Sequence, residues 1–186
     1  MIGSPTNDSP KRIHIIGCEG SGKTTLAHKL ADVLKAPCYE LDHIGYDNHV
    51  KRSLEERLSS VRQIAAQPQW VSEGVYLWWV DDLLQNADMI VWLDLHWTLC
   101  YRRIVLRHIR ADIARTNTHP GFVKMLRFAK GVRQHYLNPI PAVPADPNDD
   151  AANRAAVAQV LRAYPDKTIR CTRPADVSAL LKRFTS

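Results

Sequence analysis

The chain has 186 residues, of which 45% are hydrophobic and 24% are charged, and this balance is typical of an ordinary globular domain. The composition excludes a disordered, collagen-like or disulfide-scaffold protein, and the length suits a single domain. No apolar run approaches the ~20 residues that cross a bilayer, and the N-terminus lacks the apolar segment of a secretory signal. The four cysteines are scattered without a CxxC pair, which indicates reduced thiols, so we expect a cytoplasmic protein without a membrane partner.

Short apolar segments alternate with helical patterns along the whole chain. The apolar segments predict strands at residues 12–16, 38–41, 70–73, 89–95 and 167–171. Helical spacing predicts helices over residues 23–35, from 53 onward, and over 77–86, 98–110, 122–136, 151–164 and 174–184. This alternation predicts an α/β fold in which a five-stranded parallel sheet is flanked by helices. Residues 1–11 are expected to form a disordered leader, and residues 12–186 a single domain.

Two of the helices carry clear sequence signals. In the first, Leu26, Leu30 and Leu34 recur every fourth residue and form one apolar face. The second begins at Ser53, which together with Glu56 has the S-x-x-E pattern of a capping box. These signals predict helices after the first and second strands.

The positive charge of the chain is concentrated in one segment. The net charge is +6, and residues 99–135 contain nine of the 25 Lys and Arg residues but only one acidic residue, Asp112. Such a basic segment favours an anionic ligand. Lys124, Arg127 and Lys130 lie opposite an apolar stripe, so a solvated helix face explains them equally well.

The sequence GCEGSGKT at residues 17–24 matches the phosphate-binding pattern G-x-x-x-x-G-K-[ST]. It follows an apolar strand and opens an amphipathic helix, which is the context that the pattern requires. Backbone N–H groups must approach the phosphates closely, and a Cβ at the glycine positions would obstruct them. Lys23 is expected to reach the β- and γ-phosphates, and Thr24 to offer its hydroxyl to Mg²⁺. A plain glycine-rich turn would explain the glycines but not the adjoining Lys-Thr pair.

The remaining motifs narrow the class of phosphate-loop (P-loop) protein. The chain has no N-K-x-D motif of GTPases and no LSGGQ-like signature of ABC ATPases, and it is too short for a typical helicase core. What remains resembles the small nucleotide and metabolite kinases.

Within that group the chain resembles the adenylate-kinase-like family known as topology modulation proteins. The resemblance rests on four blocks in order, which together span most of residues 13–110: GCEGSGKTTLAHKLADVL, YELDHI, WVSEGVY and ADMIVWLDLHWTLCYRRIVLRHIR. It implies a nucleoside or nucleotide kinase-like fold, with a parallel sheet of order 2-3-1-4-5 and a short lid, which we expect at about residues 108–120.

The resemblance also implies roles for individual residues. Glu73 matches the acidic residue that reaches Mg²⁺ through water, and Asp42 matches a carboxylate that orients the acceptor. Glu40 would share a strand face with Asp42, so either could serve the metal or the acceptor hydroxyl. Arg103 and Arg107 match an R-x-x-x-R pair at the border of the lid, and planar guanidinium groups suit a transferring phosphoryl group. The loop at Arg173 matches a purine-contacting loop, and the residues expected to bind the nucleotide are Gly17, Gly20, Ser21, Gly22, Lys23, Thr24, Thr25, Arg103, Arg107 and Arg173.

We therefore expect an enzyme that transfers a phosphoryl group from ATP, with Mg²⁺, to the hydroxyl of a small molecule such as a nucleoside, acting as a monomer or homodimer. Lys23, Asp42, Arg103 and Arg107 are its expected catalytic residues. Residues 39–49 and 74–86, expected to line the acceptor pocket, contain no Lys or Arg, which predicts a neutral or cationic acceptor unless Arg52 or Arg57 supplies a positive charge. The alternative is a nucleotide-switched regulator that binds nucleic acid through the basic segment 99–135.

Overall fold

The computed structural model of the chain describes residues 10–114, 122–146 and 148–185, without the side chains of residues 122–125, 128 and 129. Strands and helices alternate along these residues as the sequence predicts. The strands are β1 Arg12–Gly17, β2 Cys38–Glu40, β3 Tyr46–Asp47, β4 Val50–Lys51, β5 Trp70–Gly74, β6 Met89–Leu93 and β7 Thr168–Cys171. The helices are α1 Lys23–Leu34, α2 Leu41–Gly45, α3 Leu54–Ala65, α4 Asp81–Asn86, α5 Trp97–Ile113, α6 Phe122–Leu137, α7 Arg154–Leu161 and α8 Pro174–Thr185, with a 3₁₀ turn at Pro165–Lys167.

Five strands form one parallel sheet in the order β2-β5-β1-β6-β7. When only these five strands are counted along the chain, this is the predicted order 2-3-1-4-5. The labels differ because β3 and β4 form a separate antiparallel hairpin that the sequence analysis did not predict. The order puts β1 in the centre of the sheet, so the loop that follows β1 lies at the middle of its carboxyl edge.

The core lies on both faces of this sheet because successive strand residues point to opposite sides. In β1, Ile13 and Ile15 pack with α1 and α8 on one face, whereas Ile16 packs against α3, α4 and α7 on the other. In β6, Val91 and Trp92 divide between the faces in the same way. Burial of both faces explains why the sequences of these strands are nearly continuous apolar runs.

Several element boundaries differ from the predictions. The predicted helix over residues 77–86 begins only at Asp81, because Leu77, Trp79 and Val80 are all buried and an irregular turn directs them into the core. The helix predicted over 151–164 is confined to α7, where Asn153 caps the first turn by accepting from the Ala156 N–H. The Ser53 capping box is confirmed, with hydrogen bonds in both directions between Ser53 and Glu56.

The prediction that Glu40 and Asp42 share a strand face is wrong. Strand β2 ends at Glu40, since this edge strand pairs with β5 only over Cys38–Glu40. Helix α2 begins at the next residue, so Asp42 lies in a helical first turn.

The predicted lid falls partly within helix α5, which continues as far as Ile113. Residues 115–121 and most of the predicted leader, residues 1–9, lie outside the described residues. Among the helices that the structure describes, none combines the length and hydropathy that a membrane span requires. The four cysteines are free thiols.

Candidate nucleotide-binding site

The loop between β1 and α1 has the backbone shape of a phosphate cradle. Gly20 and Gly22 adopt positive φ angles of 75° and 97°, a region that side-chain-bearing residues rarely enter. Gly22 is also the N-cap of the 12-residue helix α1, so the positive end of the helix dipole faces the loop. Gly20 and Gly22 therefore allow the loop to turn and a phosphate group to approach the N-terminus of α1.

Helix α5 supports the loop from one side. Nη1 of Arg103 donates to the Ser21 carbonyl at 2.6 Å and lies 3.5 Å from the Gly20 carbonyl. A Cβ added at Gly20 would lie 2.6 Å from the Cys100 carbonyl oxygen, which is closer than real contacts allow. The loop and α5 are thus in direct backbone contact, and only glycine fits between them.

The two chemically active residues of the loop point to different partners. The Lys23 ammonium group donates to the Cys18 carbonyl at 3.3 Å, within the loop itself. The Thr24 hydroxyl donates to Oε1 of Glu73 at 2.7 Å. This contact joins the end of the loop to the carboxyl end of β5, the strand that pairs directly with β1.

Glu73 occupies an unusual electrostatic environment. It is only 5% exposed, and burial raises the pKa of its carboxyl group, whereas the Thr24 hydrogen bond and the Lys23 charge lower it. The carboxylate therefore lacks enough positive charge around it to offset its lost hydration. A cation placed next to Thr24 and Glu73 would supply that charge.

A cavity of about 680 Å³ lies above the loop and brings together most of the predicted site residues. Helices α1 and α5 and the start of α8 form its walls. The predicted residues that line it are Gly20, Ser21, Gly22, Lys23, Thr24, Thr25, Asp42, Glu73, Arg103 and Arg107.

Two of the predicted nucleotide-binding residues do not line this cavity. Gly17 lies beneath it, where a Cβ would meet the Leu93 carbonyl oxygen at 2.8 Å, so its role is close packing between β1 and β6. Arg173 pairs with Asp176 at 3.1 Å, and its side chain is 78% exposed at the entrance to α8. The adjacent Pro174 lines the cavity instead.

The structure gives different surroundings to Asp42 and Glu40, either of which the sequence allowed to serve the metal or the acceptor hydroxyl. Asp42 lines the cavity, and its Oδ1 accepts a 2.8 Å hydrogen bond from the Tyr76 hydroxyl. Burial, followed by this hydrogen bond, raises the pKa of Tyr76, so the phenol remains a donor that orients Asp42. Glu40 instead accepts from His28 at 3.0 Å on the outer side of α1.

The residues present fit a magnesium nucleotide. The Thr24 hydroxyl and the Glu73 carboxylate are hard oxygen ligands of the kind that Mg²⁺ prefers. No cluster of three or more His, Cys, Asp or Glu side chains suited to a metal is found among the described residues. The Ser21 hydroxyl is buried without a hydrogen-bond partner, so the cradle contains an unsatisfied polar group.

A second cavity, of about 850 Å³, adjoins the loop at Glu19 and extends between α6 and the chain that leads to α7. Polar side chains of Gln134, His135 and Asn138 line it. Burial lowers the pKa of His135, so its imidazole is neutral at pH 7. The phosphate loop therefore borders two cavities, which share Glu19 in their lining.

Sequence reasoning missed several residues that shape the site. The family resemblance covers Tyr76 and Cys100 but implies no role for either, because their contacts with Asp42 and the loop arise only in the folded chain. Asp150 is another: it accepts from Arg57 at 3.0 Å and from the Trp79 indole at 3.1 Å. The only available signal was the run of acidic residues after the prolines of 139–147.

The comparisons with known proteins bear on the fold. No protein-family model matches the chain, and no curated protein does. A shikimate kinase from Bacteroides thetaiotaomicron superposes with a TM-score of 0.54 at 16% identity, covering 95% of this chain and 97% of that one. A shikimate kinase from Acinetobacter baumannii in complex with shikimate gives 0.53 at 12% identity, covering 95% and 92%. The chain has a P-loop kinase fold, and the predicted fold class is confirmed.

Proposed function

We propose that the protein is an ATP- and Mg²⁺-dependent phosphotransferase that acts on a hydroxyl group of a small molecule. One observation carries the proposal. The Thr24–Glu73 contact of 2.7 Å, the Lys23 ammonium group and the guanidinium groups of Arg103 and Arg107 border a single cavity beside the loop. Phosphoryl transfer needs this combination of positioning and charge stabilisation.

The residues that line the cavity have different roles in the proposed transfer. The loop N–H groups and the α1 N-terminus bind the phosphate oxygens, and Lys23 exchanges its contact with Cys18 for the β- and γ-phosphates. Mg²⁺ supplies charge neutralisation when it is bound, and Thr24 and Glu73 hold it in position. Arg107 is exposed and free to approach the equatorial oxygens of the transferring group, whereas Arg103 also holds the loop in place.

Asp42 is proposed to orient the acceptor hydroxyl. It lies in the same cavity as Lys23, and Tyr76 fixes one of its oxygens so that the other can accept from a substrate. The resemblance to topology modulation proteins also implies that the carboxylate at this position orients the acceptor. A contrasting pair of variants decides which space the acceptor occupies: Asp42→Asn should raise the acceptor KM and lower kcat, and His135→Ala should do neither. The reverse pattern would place the acceptor in the second cavity.

The acceptor is proposed to be neutral or cationic. Arg57, one of two residues that could supply a positive charge, is fully buried and bound to Asp150 and Asn148. It also stacks over Trp79 at 5.4 Å, so it is not available to a substrate phosphate. Arg52 is half-buried and remains the other source of charge.

The test is ADP release from Mg-ATP with a panel of acceptors, comparing nucleosides, sugars and amino alcohols with AMP, CMP, UMP and dTMP. Saturable ADP release that requires an acceptor and disappears in Lys23→Ala supports the proposal. Robust phosphorylation of a monophosphate would refute the neutral-acceptor part. ADP release that no acceptor changes would indicate a nucleotide hydrolase instead.

A further inference from the structure

Two buried thiols meet beneath the phosphate loop. Sγ of Cys18, the second residue of the loop pattern, lies 3.5 Å from Sγ of Cys100 in the first turn of α5. The two residues are 7% and 0% exposed, and they pack with Leu95, Ile104 and Val132. They are 82 residues apart in the chain, so nothing in the sequence pairs them.

The backbone geometry keeps this pair together. The Cys100 carbonyl oxygen packs directly against Gly20, and Arg103, one turn further along α5, donates to the Ser21 carbonyl. Loop and helix are therefore held on either side of the two sulfur atoms. A bond between the sulfurs would need only a local shift, because a disulfide separates them by about 2.05 Å.

The surroundings also distinguish the two thiols. The Cys18 thiol donates to Cys100, and this hydrogen bond, helped by the charges of Arg103 and Lys23, lowers the pKa of Cys100. The same hydrogen bond and burial raise the pKa of Cys18. Because the thiolate is the reactive form, the directions of these two shifts favour Cys100 as the nucleophile of the pair and Cys18 as the resolving thiol.

We propose that Cys18 and Cys100 form an oxidisable dithiol which hydrogen peroxide converts into a disulfide between the phosphate loop and α5. The Cys100 thiolate attacks one oxygen of the peroxide and becomes a sulfenic acid, and hydroxide leaves and takes up a proton. The Cys18 sulfur then displaces the sulfenic hydroxyl, its proton leaves with that hydroxyl as a second water, and the S–S bond forms. Two thiols and one peroxide thus yield one disulfide and two waters.

The disulfide would act on the loop through its backbone. The Cys18 carbonyl is the group that receives Lys23, and drawing Cys18 towards α5 moves that carbonyl and the adjoining N–H groups. We expect nucleotide affinity to fall by about tenfold or more, a change of about 1.4 kcal/mol. This consequence, unlike the disulfide itself, rests on the proposed nucleotide site.

The test begins with the intact protein treated with hydrogen peroxide and then analysed by mass spectrometry and peptide mapping. A loss of about 2 Da, mapped to a Cys18–Cys100 cross-link and reversed by dithiothreitol, is the expected result. The matched control is Cys38→Ser, which removes a half-buried lone thiol and should leave the cross-link unchanged. Cys100→Ser and Cys18→Ser should each abolish it, and circular dichroism checks that both variants fold.

Three outcomes overturn the proposal: a mass gain of oxygen atoms on either cysteine, a cross-link involving Cys38 or Cys171, or unreacted thiols in the folded protein. Binding of a fluorescent ATP analogue to reduced and oxidised protein then tests the consequence. If the cross-link forms but neither state binds the analogue, the disulfide stands and the proposed function fails. If both states bind equally, the disulfide does not control the loop.

Discussion

Replacing Gly20 by alanine tests how closely the phosphate loop packs against helix α5. Gly20 has a φ of 75°, and the added methyl group would lie 2.6 Å from the Cys100 carbonyl oxygen and 2.9 Å from Cγ1 of Ile104. The left-handed conformation costs a residue with a Cβ about 1–2 kcal/mol. Overpacking against a helix backbone adds about 1–3 kcal/mol.

The two penalties together destabilise the protein by about 3 kcal/mol, which lowers Tm by roughly 6–12 °C in a domain of this size. Thermal unfolding followed by circular dichroism measures the change. Gly131→Ala is the matched control, because Gly131 lies within α6 and its added methyl group would meet nothing within 4 Å. Alanine there should stabilise the helix by about 0.5–1 kcal/mol. If Gly20→Ala melts at the wild-type temperature, the loop is not packed on α5 as described.

Three further predictions concern catalysis, acid stability and the core. Arg107→Ala should lower kcat by more than it weakens ATP binding, because its charge acts on the transferring group, and an unchanged kcat would make Arg107 a solvated residue. Burial lowers the pKa of the His14 imidazole to about 4. As the pH falls through about 6.5, the unfolded chain therefore protonates this imidazole before the folded protein does, and the folded protein loses stability. Urea unfolding should show that the wild type loses about 2 kcal/mol more stability between pH 7 and pH 5 than His14→Gln does, and equal losses would contradict this. The Asp94 side chain is 3% exposed and accepts from Arg154 at 2.6 Å and from Arg170. Asp94→Asn should therefore lower the free energy of unfolding by about 2 kcal/mol in urea, and a loss below about 0.5 kcal/mol would show that the pairs are not needed.

The parts of the fold that could be predicted are those specified by local patterns. The glycines and Lys-Thr pair after an apolar strand predicted the loop and α1, and Ser53 with Glu56 predicted the start of α3. The parallel sheet followed from the alternation of strands and helices and the fixed hand of their crossovers, and its order followed from the resemblance to P-loop kinases. Each of these signals lies within a few residues of the feature that it determines.

The rest depends on contacts between residues far apart in the chain. The sequence suggested a shared strand face for Glu40 and Asp42 because nothing in their neighbourhood shows that β2 ends at Glu40 and that α2 begins at the next residue. Residues 77–80 read as helical because their apolar spacing is compatible with a helix, yet the Trp79 indole is held instead by Asp150, 71 residues away. The Cys18–Cys100 contact has no sequence signal at all, since α5 reaches the loop only in the folded sheet.

The proposed function requires that the cavity beside the loop transfers the γ-phosphoryl group of ATP to a small-molecule hydroxyl. The most direct test uses ATP labelled in its γ-phosphate, an acceptor identified by ADP release, and the variants Lys23→Ala and Lys130→Ala. Lys130 is an exposed lysine of α6 and serves as the matched control for the loss of one positive charge. We expect the wild type and Lys130→Ala to place the label on the acceptor, and Lys23→Ala to slow this transfer by roughly 10²-fold or more. Wild-type transfer by a folded Lys23→Ala would contradict the proposed function.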